Sequence, residues 1–356
     1  MSAHASEVQR FSRADLIAFG ICAAACVVAL ALRELDASGP VVFVAAGVAV
    51  MALAYVLGEA TEQAGTASGP RLASLLNATF GNLPELIIVV LTVREGLIEV
   101  AQASIIGSVV GNILLVLGAS ILLGGLRNGA MSFDARSVGV NASMLVLAVV
   151  VLGVPSLFSH LDGVTHDETA ALSHGVAIIG AVLYVAYLVY SFMQPAMPGH
   201  EGGGRWSPRA SMITLGLTAV ITGVMSELLV SAIEPTVEEL GIGTVFVGMV
   251  IVPLVGNVPE HWAAVRIARG GNLDFSMSIA FNSGLQVALA GTAIAVGAGV
   301  VFSNEVLIVF EPLQLALLGA ATIMTGIIAS MGKANWLEGL QLLTIYGIAA
   351  LAFWFL

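Results

Sequence analysis

Phe80-Gly81-Asn82-Leu83-Pro84-Glu85 returns 175 residues later as Val255-Gly256-Asn257-Val258-Pro259-Glu260, and the fold follows from the reading of that repeat. Both copies of G-N-x-P-E lie inside long apolar runs. A carboxylate at such depth costs about 2.5–3.5 kcal/mol on insertion scales, so an intramembrane Glu marks a functional site by default. Here there are two, each behind a helix-breaking Pro and a Gly-Asn pair. Helices broken at matching positions of two halves are the sequence pointer to a transporter's binding site.

The surroundings fit that reading. Hydrophobic residues make up 58% of the chain and charged ones only 10%, against about 25% charged in soluble domains. Apolar windows recur along the whole length, about eleven by the usual span of about 20 residues. They centre in 14–33, 40–58, 72–93, 99–123, 137–154, 170–192, 210–232, 242–265, 274–300, 312–331 and 338–355. The expectation is an all-α polytopic membrane protein with the lipid bilayer as its surroundings. Met1–Arg13 is polar, and Arg33 and Glu34 flank the first span without a small-residue cleavage site, which reads as a signal-anchor. Cys22 and Cys26, one turn apart in that span, read as packing residues. A net charge of −11 argues against a nucleic-acid partner; a homo-oligomer stays open.

Positive charges give the expected orientation. With the N-terminus cytoplasmic, the inner segments collect Arg10, Arg13, Arg71, Arg127, Arg136, Arg205, Arg209, Arg266, Arg269 and Lys333, while the outer ones hold only Arg33 and Arg94. The C-terminus is then outside, in what is expected to be a prokaryotic inner (plasma) membrane. The outer loops are acidic instead, and His160, His166 and His174 flank one of them.

Sliding the chain on itself by the Glu85–Glu260 spacing also aligns Arg94 with Arg269, Gly96 with Gly271, Glu59 with Glu234 and Ser108 with Ser283. Five spans per half is an odd number, so the second copy enters from the opposite side, as an inverted repeat. The expected division is residues 1–36 as tail and first helix, 37–193 as the first five-helix repeat, 194–208 as a Gly/Pro-rich cytoplasmic linker, and 209–356 as the second repeat. The small residues of Thr66-Ala-Ser-Gly-Pro70 read as a turn.

A Pro inside a helix removes a donor and displaces the carbonyl four residues back, here Phe80 or Val255, freeing main-chain oxygens around Gly81 and Gly256. Facing each other, the copies would gather two carboxylates, freed carbonyls and amide or hydroxyl oxygens. These are hard donors with no Cys or His pair, which suits Ca²⁺ with its six to eight oxygens and disfavours zinc or copper. Two close desolvated carboxylates hold protons or a divalent cation more readily than they stay charged and bare. That mutual exclusion is the core of a cation/proton exchanger.

The residues also carry a resemblance. Leu57-Gly-Glu-Ala-Thr-Glu-Gln, Leu75-Leu-Asn-Ala-Thr-Phe-Gly-Asn-Leu-Pro-Glu-Leu-Ile-Ile and Ser104-Ile-Ile-Gly-Ser-Val-Val-Gly-Asn-Ile-Leu-Leu-Val-Leu-Gly118 resemble the first conserved repeat of Ca²⁺/H⁺ antiporters. Ser226-Glu-Leu-Leu-Val, Gly256-Asn-Val-Pro-Glu-His261 and Ser283-Gly-Leu-Gln286 resemble the second. The resemblance implies the cation/Ca²⁺ exchanger fold, one extra helix before two inverted five-helix repeats. It implies Glu85 and Glu260 as central cation-binding acids, Gly81 and Gly256 as carbonyl donors, and Asn82, Asn257, Ser108 and Gln286 as polar residues around them. His261 beside Glu260 is a candidate proton relay, Glu227 a candidate gate, and Asn282, Asn112 and Asn77 further polar candidates. Pro84 and Pro259 depart from the Ala or Thr usual in those antiporters and are closer to Na⁺/Ca²⁺ exchangers; Asn282 stands where Gly is usual.

The function expected is therefore exchange of Ca²⁺, as transported substrate, for H⁺ by alternating access, with no cofactor. Na⁺/Ca²⁺ exchange is the main alternative, but the ninth span offers Asn282 and Gln286 without a carboxylate to balance several Na⁺. A membrane enzyme lacks its motif, since Glu260-His261 has no second His at metalloprotease spacing. A channel is disfavoured by inverted repeats with central acids.

Overall fold

The computed structural model describes residues 11–68, 76, 79–193 and 205–356. The expected linker lies mostly outside them, as do Asn77 and Arg71. The described chain is helical almost throughout: α1 (Arg13–Glu34), α2 (Gly39–Ser68), α3 (Leu83–Arg94), α4 (Ile98–Asn128), α5 (Ala135–Phe158), α6 (His166–Met193), α7 (Pro208–Leu240), α8 (Thr244–Gly256), α9 (Val258–Arg269), α10 (Leu273–Phe302), α11 (Pro312–Met331) and α12 (Trp336–Trp354). A two-residue antiparallel pair, Met131–Ser132 with Lys333–Ala334, is the sheet formed among them.

Nine of these helices are long and apolar enough to cross a membrane, and α8 with α9, bent by 63°, makes a tenth. The chain is an all-helical, integral membrane protein. The expected count of eleven is not reached among the described residues, because of the 72–93 span only residue 76 and residues 79–93 are described. Helix α2 runs through Ser68, so a turn does not begin at Thr66 as the small residues suggested. The apolar drive to stay helical in lipid, where every backbone group needs an internal partner, outweighs weak local propensity.

The two halves match in local detail. Asn82 (φ −102°, ψ 21°) and Asn257 (φ −107°, ψ 20°) share one backbone conformation, and each precedes a 12-residue helix. Gly96 and Gly271, just past those helices, both adopt positive φ, 78° and 91°. Helix α4 opens into a π-helical stretch at Gly111–Val116, and α10 does so at Gln286–Gly291, again 175 residues on. Such wide turns inside helices cluster at functional sites.

What brings the halves together is close crossing at small residues, the usual device where lipid offers no hydrophobic drive between helices. A Cβ on Gly107 of α4 would lie 2.4 Å from the Met249 carbonyl oxygen of α8. Reciprocally, one on Gly248 would lie 2.6 Å from the Ala103 Cβ. This crossing sets the middle of α4, with Ser108, against the helix that carries the second break. At one end of the bundle, Trp206 is buried against Leu57, Ala60, Ala64 and Leu215, with Phe11 and Phe19 edge-on to it or tilted over it. Its indole N–H donates to Asp15 at 3.0 Å, and Arg205 bridges Asp15 and Glu59.

Candidate functional site

Neither motif proline lies in a helix interior. The preceding helix stops at the Gly-Asn pair, a new one starts at Leu83 or Val258, and Pro84 and Pro259 sit in its first turn, where a missing N–H costs nothing. The expectation of a proline-displaced carbonyl is thereby replaced by a full break. Asn82 and Asn257 hold the cap positions, yet neither side chain caps its helix, which leaves both amides for other work. Glu85 and Glu260 fall in the first turns of α3 and α9, so each carboxylate meets the positive end of a helix dipole.

The halves meet at these turns. A Cβ on Gly256 would lie 3.2 Å from the Glu85 Cβ, so the second break packs directly on the first acid. The two carboxylates are within coulombic reach of each other. Glu85 has no exposure, whereas Glu260 and His261 are half-buried.

A polar chain alternates between the halves. Asn112 Nδ2 donates to Ser283 Oγ (2.9 Å), Ser283 Oγ donates to Asn82 Oδ1 (2.7 Å), and Asn82 Nδ2 donates to Gln286 Oε1 (2.9 Å). All four residues are buried. The repeat partners of Asn82 and Ser283, namely Asn257 and Ser108, do not form the counterpart bond. Instead both Glu85 carboxylate oxygens, Glu260 Oε2, Asn257 Oδ1, Ser108 Oγ and Asn112 Oδ1 are buried with no hydrogen-bond partner among the described residues. An unsatisfied buried polar group costs about 1–3 kcal/mol. Buried carboxylate oxygens without a partner call for a ligand that oxygen donors can hold: protons or a hard cation. No cluster of three or more His, Cys, Asp or Glu suited to a metal occurs among the described residues; the donor set is two carboxylates plus neutral oxygens.

Of the other candidates, Glu227 is exposed and pairs with Arg94 at 2.9 Å, tying α7 to the far end of α3. Its neighbour Ser226 is buried, its hydroxyl without a hydrogen-bond partner among the described residues. Asn282 is exposed and bonded to the Tyr187 hydroxyl. Gly81 is half-buried at the first break. Ser283, marked in the sequence by its repeat partner Ser108 and by the Ser283-Gly-Leu-Gln286 resemblance but not counted among the site residues, is the middle link of the polar chain. Tyr187 and Asn141 gave no sequence signal, since each is a lone polar residue in an apolar helix and only tertiary contact unites them. His166 pairs with Glu305 at 2.6 Å on the surface, away from the acids.

A family model for the sodium/calcium exchanger protein matches residues 38–193 and 210–355. The chain is 36% identical over 335 residues to a Ca(2+)/H(+) antiporter of Aphanothece halophytica, covering 88% of this chain and 90% of that protein. It is 35% identical over 326 residues to the Ca(2+)/H(+) antiporter ChaA of Bacillus subtilis (strain 168), covering 89% and 92%. The solved structure of native YfkE shares the fold with a TM-score of 0.84 at 32% identity, over 95% of this chain and 100% of that one. The H⁺/Ca²⁺ exchanger CAX, at 15% identity, matches in fold with a TM-score of 0.76 over 96% and 92%. With an acid set just after each Gly-Asn break and a family match along both halves, this protein is a member of the sodium/calcium exchanger family.

Proposed function

We propose that the protein exchanges Ca²⁺ for H⁺ across a membrane by alternating access, with Glu85 and Glu260 taking either one Ca²⁺ or two protons. The observation that carries this is that both Glu85 oxygens and Glu260 Oε2 are buried with no hydrogen-bond partner among the described residues, with the second break packed directly on Glu85. Relatives named Ca(2+)/H(+) antiporters at 36% and 35% identity support protons over Na⁺ as the coupling ion. Glu85, Glu260, Asn257 and Ser108 offer free oxygens, joined by the main chain at Gly81 and Gly256. Asn82 and Gln286 brace each other and frame the site. His261 is the residue beside Glu260 through which a proton would leave, Asn112 anchors the polar chain, and the Arg94–Glu227 pair closes one mouth. A surface pair is worth only about 0–1 kcal/mol, which suits a gate that opens each cycle.

One Ca²⁺ and two H⁺ neutralise the two carboxylates equally, so one-for-two exchange moves no net charge. Each elementary charge moved would otherwise be worth about 2.3 kcal/mol per 100 mV. Vesicles acidified inside should take up external Ca²⁺ in Na⁺-free buffer, a protonophore should stop them, and a K⁺/valinomycin potential should change the rate little. Uptake that needs an outward Na⁺ gradient and ignores pH would establish Na⁺/Ca²⁺ exchange instead.

The proposed division remains 1–36, 37–193, 194–208 and 209–356, in a prokaryotic inner membrane with the N-terminus cytoplasmic. With Cys22 and Cys26 replaced by Ala, a Leu356→Cys protein should react with impermeant maleimide added outside whole cells. Labelling only after permeabilisation would reverse that orientation.

A further inference from the structure

Away from the acids, helix α10 carries polar residues at successive four-residue steps: Asp274, Ser278, Asn282 and Gln286. Each four-residue step keeps neighbours in reach and turns the stripe by about 40°, so it winds slowly around the helix. The ladder begins at the end where Asp274 accepts from the Asp134 N–H at 2.6 Å, and it ends at Gln286, the brace of Asn82. Asp274 and Ser278 are half-buried and Asn282 is exposed, although residues 276, 277, 280 and 281 of the same helix are buried. Asn282 lies roughly 13 Å along the helix from its start at a rise of about 1.5 Å per residue. An exposed amide at that depth belongs against water or protein, since lipid satisfies neither its donors nor its acceptor.

Two helices supply the opposite wall. The Tyr187 hydroxyl of α6 lies 3.0 Å from Asn141 Oδ1 of α5 and also bonds Asn282. One phenol proton cannot serve two acceptors, so one amide is turned to donate to the Tyr187 oxygen. The result is a continuous donor–acceptor line, Asn141–Tyr187–Asn282, between three helices. It contains no carboxylate at its middle to offset a divalent charge. The titratable and charged groups around it are Asp274 and Asp134 at its mouth, Tyr184 and Tyr190 beside Tyr187 on α6, Arg136 at the start of α5, and Glu260, His261, Arg266 and Arg269 on α9, which packs on α10.

We propose that this seam is a route for protons and water, and not for Ca²⁺, between the Asp274 end of the bundle and the Gln286–Asn82 brace of the cation site, with the Tyr187 hydroxyl as its narrowest relay. The phenol takes up one proton as it gives up another and ends unchanged, while the amides of Asn141 and Asn282 order the water on either side. The proposal rests on the Ca²⁺/H⁺ reading above.

Its test separates proton delivery from Ca²⁺ handling. In vesicles, pH-driven ⁴⁵Ca²⁺ uptake needs both ions, whereas exchange of ⁴⁵Ca²⁺ for unlabelled Ca²⁺ at equal pH needs no proton. Tyr187→Phe keeps the ring and should lower pH-driven uptake at least about tenfold, in line with the worth of a positioned proton-transfer group. Ca²⁺/Ca²⁺ exchange should stay within about twofold, by the same argument. Asn141→Leu should behave alike, and Asn141→Ser should recover most of the rate. If both kinds of exchange fall together in Tyr187→Phe, the hydroxyl is merely structural; if neither falls, no proton passes there. Either result overturns the route alone. A wild-type protein without pH-driven uptake would overturn the exchange reading and the route with it.

Discussion

Glu85→Gln and Glu260→Gln are each expected to lower Ca²⁺ transport by at least about 100-fold, because even outer partners of a bound metal are worth 10–100-fold. Glutamine keeps the volume and one oxygen but removes the negative charge that a desolvated divalent cation requires and the proton that must replace it. The loss should appear in both pH-driven uptake and Ca²⁺/Ca²⁺ exchange, since both reactions need the bound cation. Folding should survive. Neither Glu85 oxygen meets hydrogen-bond geometry with another described residue, so the frame does not hang on this carboxylate. Monodisperse protein in detergent with a melting temperature at or above wild type, and no transport, is the expected result. Near-normal transport by either variant would end the assignment of these acids.

The second large effect is structural. Gly107→Ala should destabilise the protein severely, because its Cβ would stand 2.4 Å from a main-chain oxygen of α8 that no rotamer change can move. Overpacking of a tight interior usually costs about 1–3 kcal/mol, and separating two helices that also position Ser108 and the second break should sit at or above the top of that range. A fall in melting temperature in detergent, with loss of transport, is expected. Gly319→Ala is the control, since nothing lies within 4 Å of the added methyl group. If both variants melt alike, the α4–α8 crossing is not the constraint that holds the halves together.

Much of this was open to the sequence alone because the bilayer narrows the choices. A chain with few charges and repeated apolar windows can only be a helical bundle or a closed barrel in lipid, and the window length selects helices. The repeat of Gly-Asn-x-Pro-Glu marked the two acids, since polar groups persist at that depth only for a reason. The conformational twins Asn82 and Asn257, and Gly96 and Gly271, follow the same offset of 175 that the letters show.

What tertiary structure alone decided is where symmetry is broken. Ser108 and Asn257 are sequence copies of Ser283 and Asn82, yet only the latter two bond to each other. A hydroxyl's partner depends on sub-ångström placement by neighbouring helices, which identical letters do not encode. The prolines read as kinks but serve as first-turn residues of new helices, because the preceding Gly-Asn had already ended the old ones. Tyr187, Asn141 and Asn282 come from three helices and are distant in sequence, so no local pattern could join them. Side-chain periodicity reports which face of one helix is polar; which faces meet is set by packing, and that is read only from the folded chain.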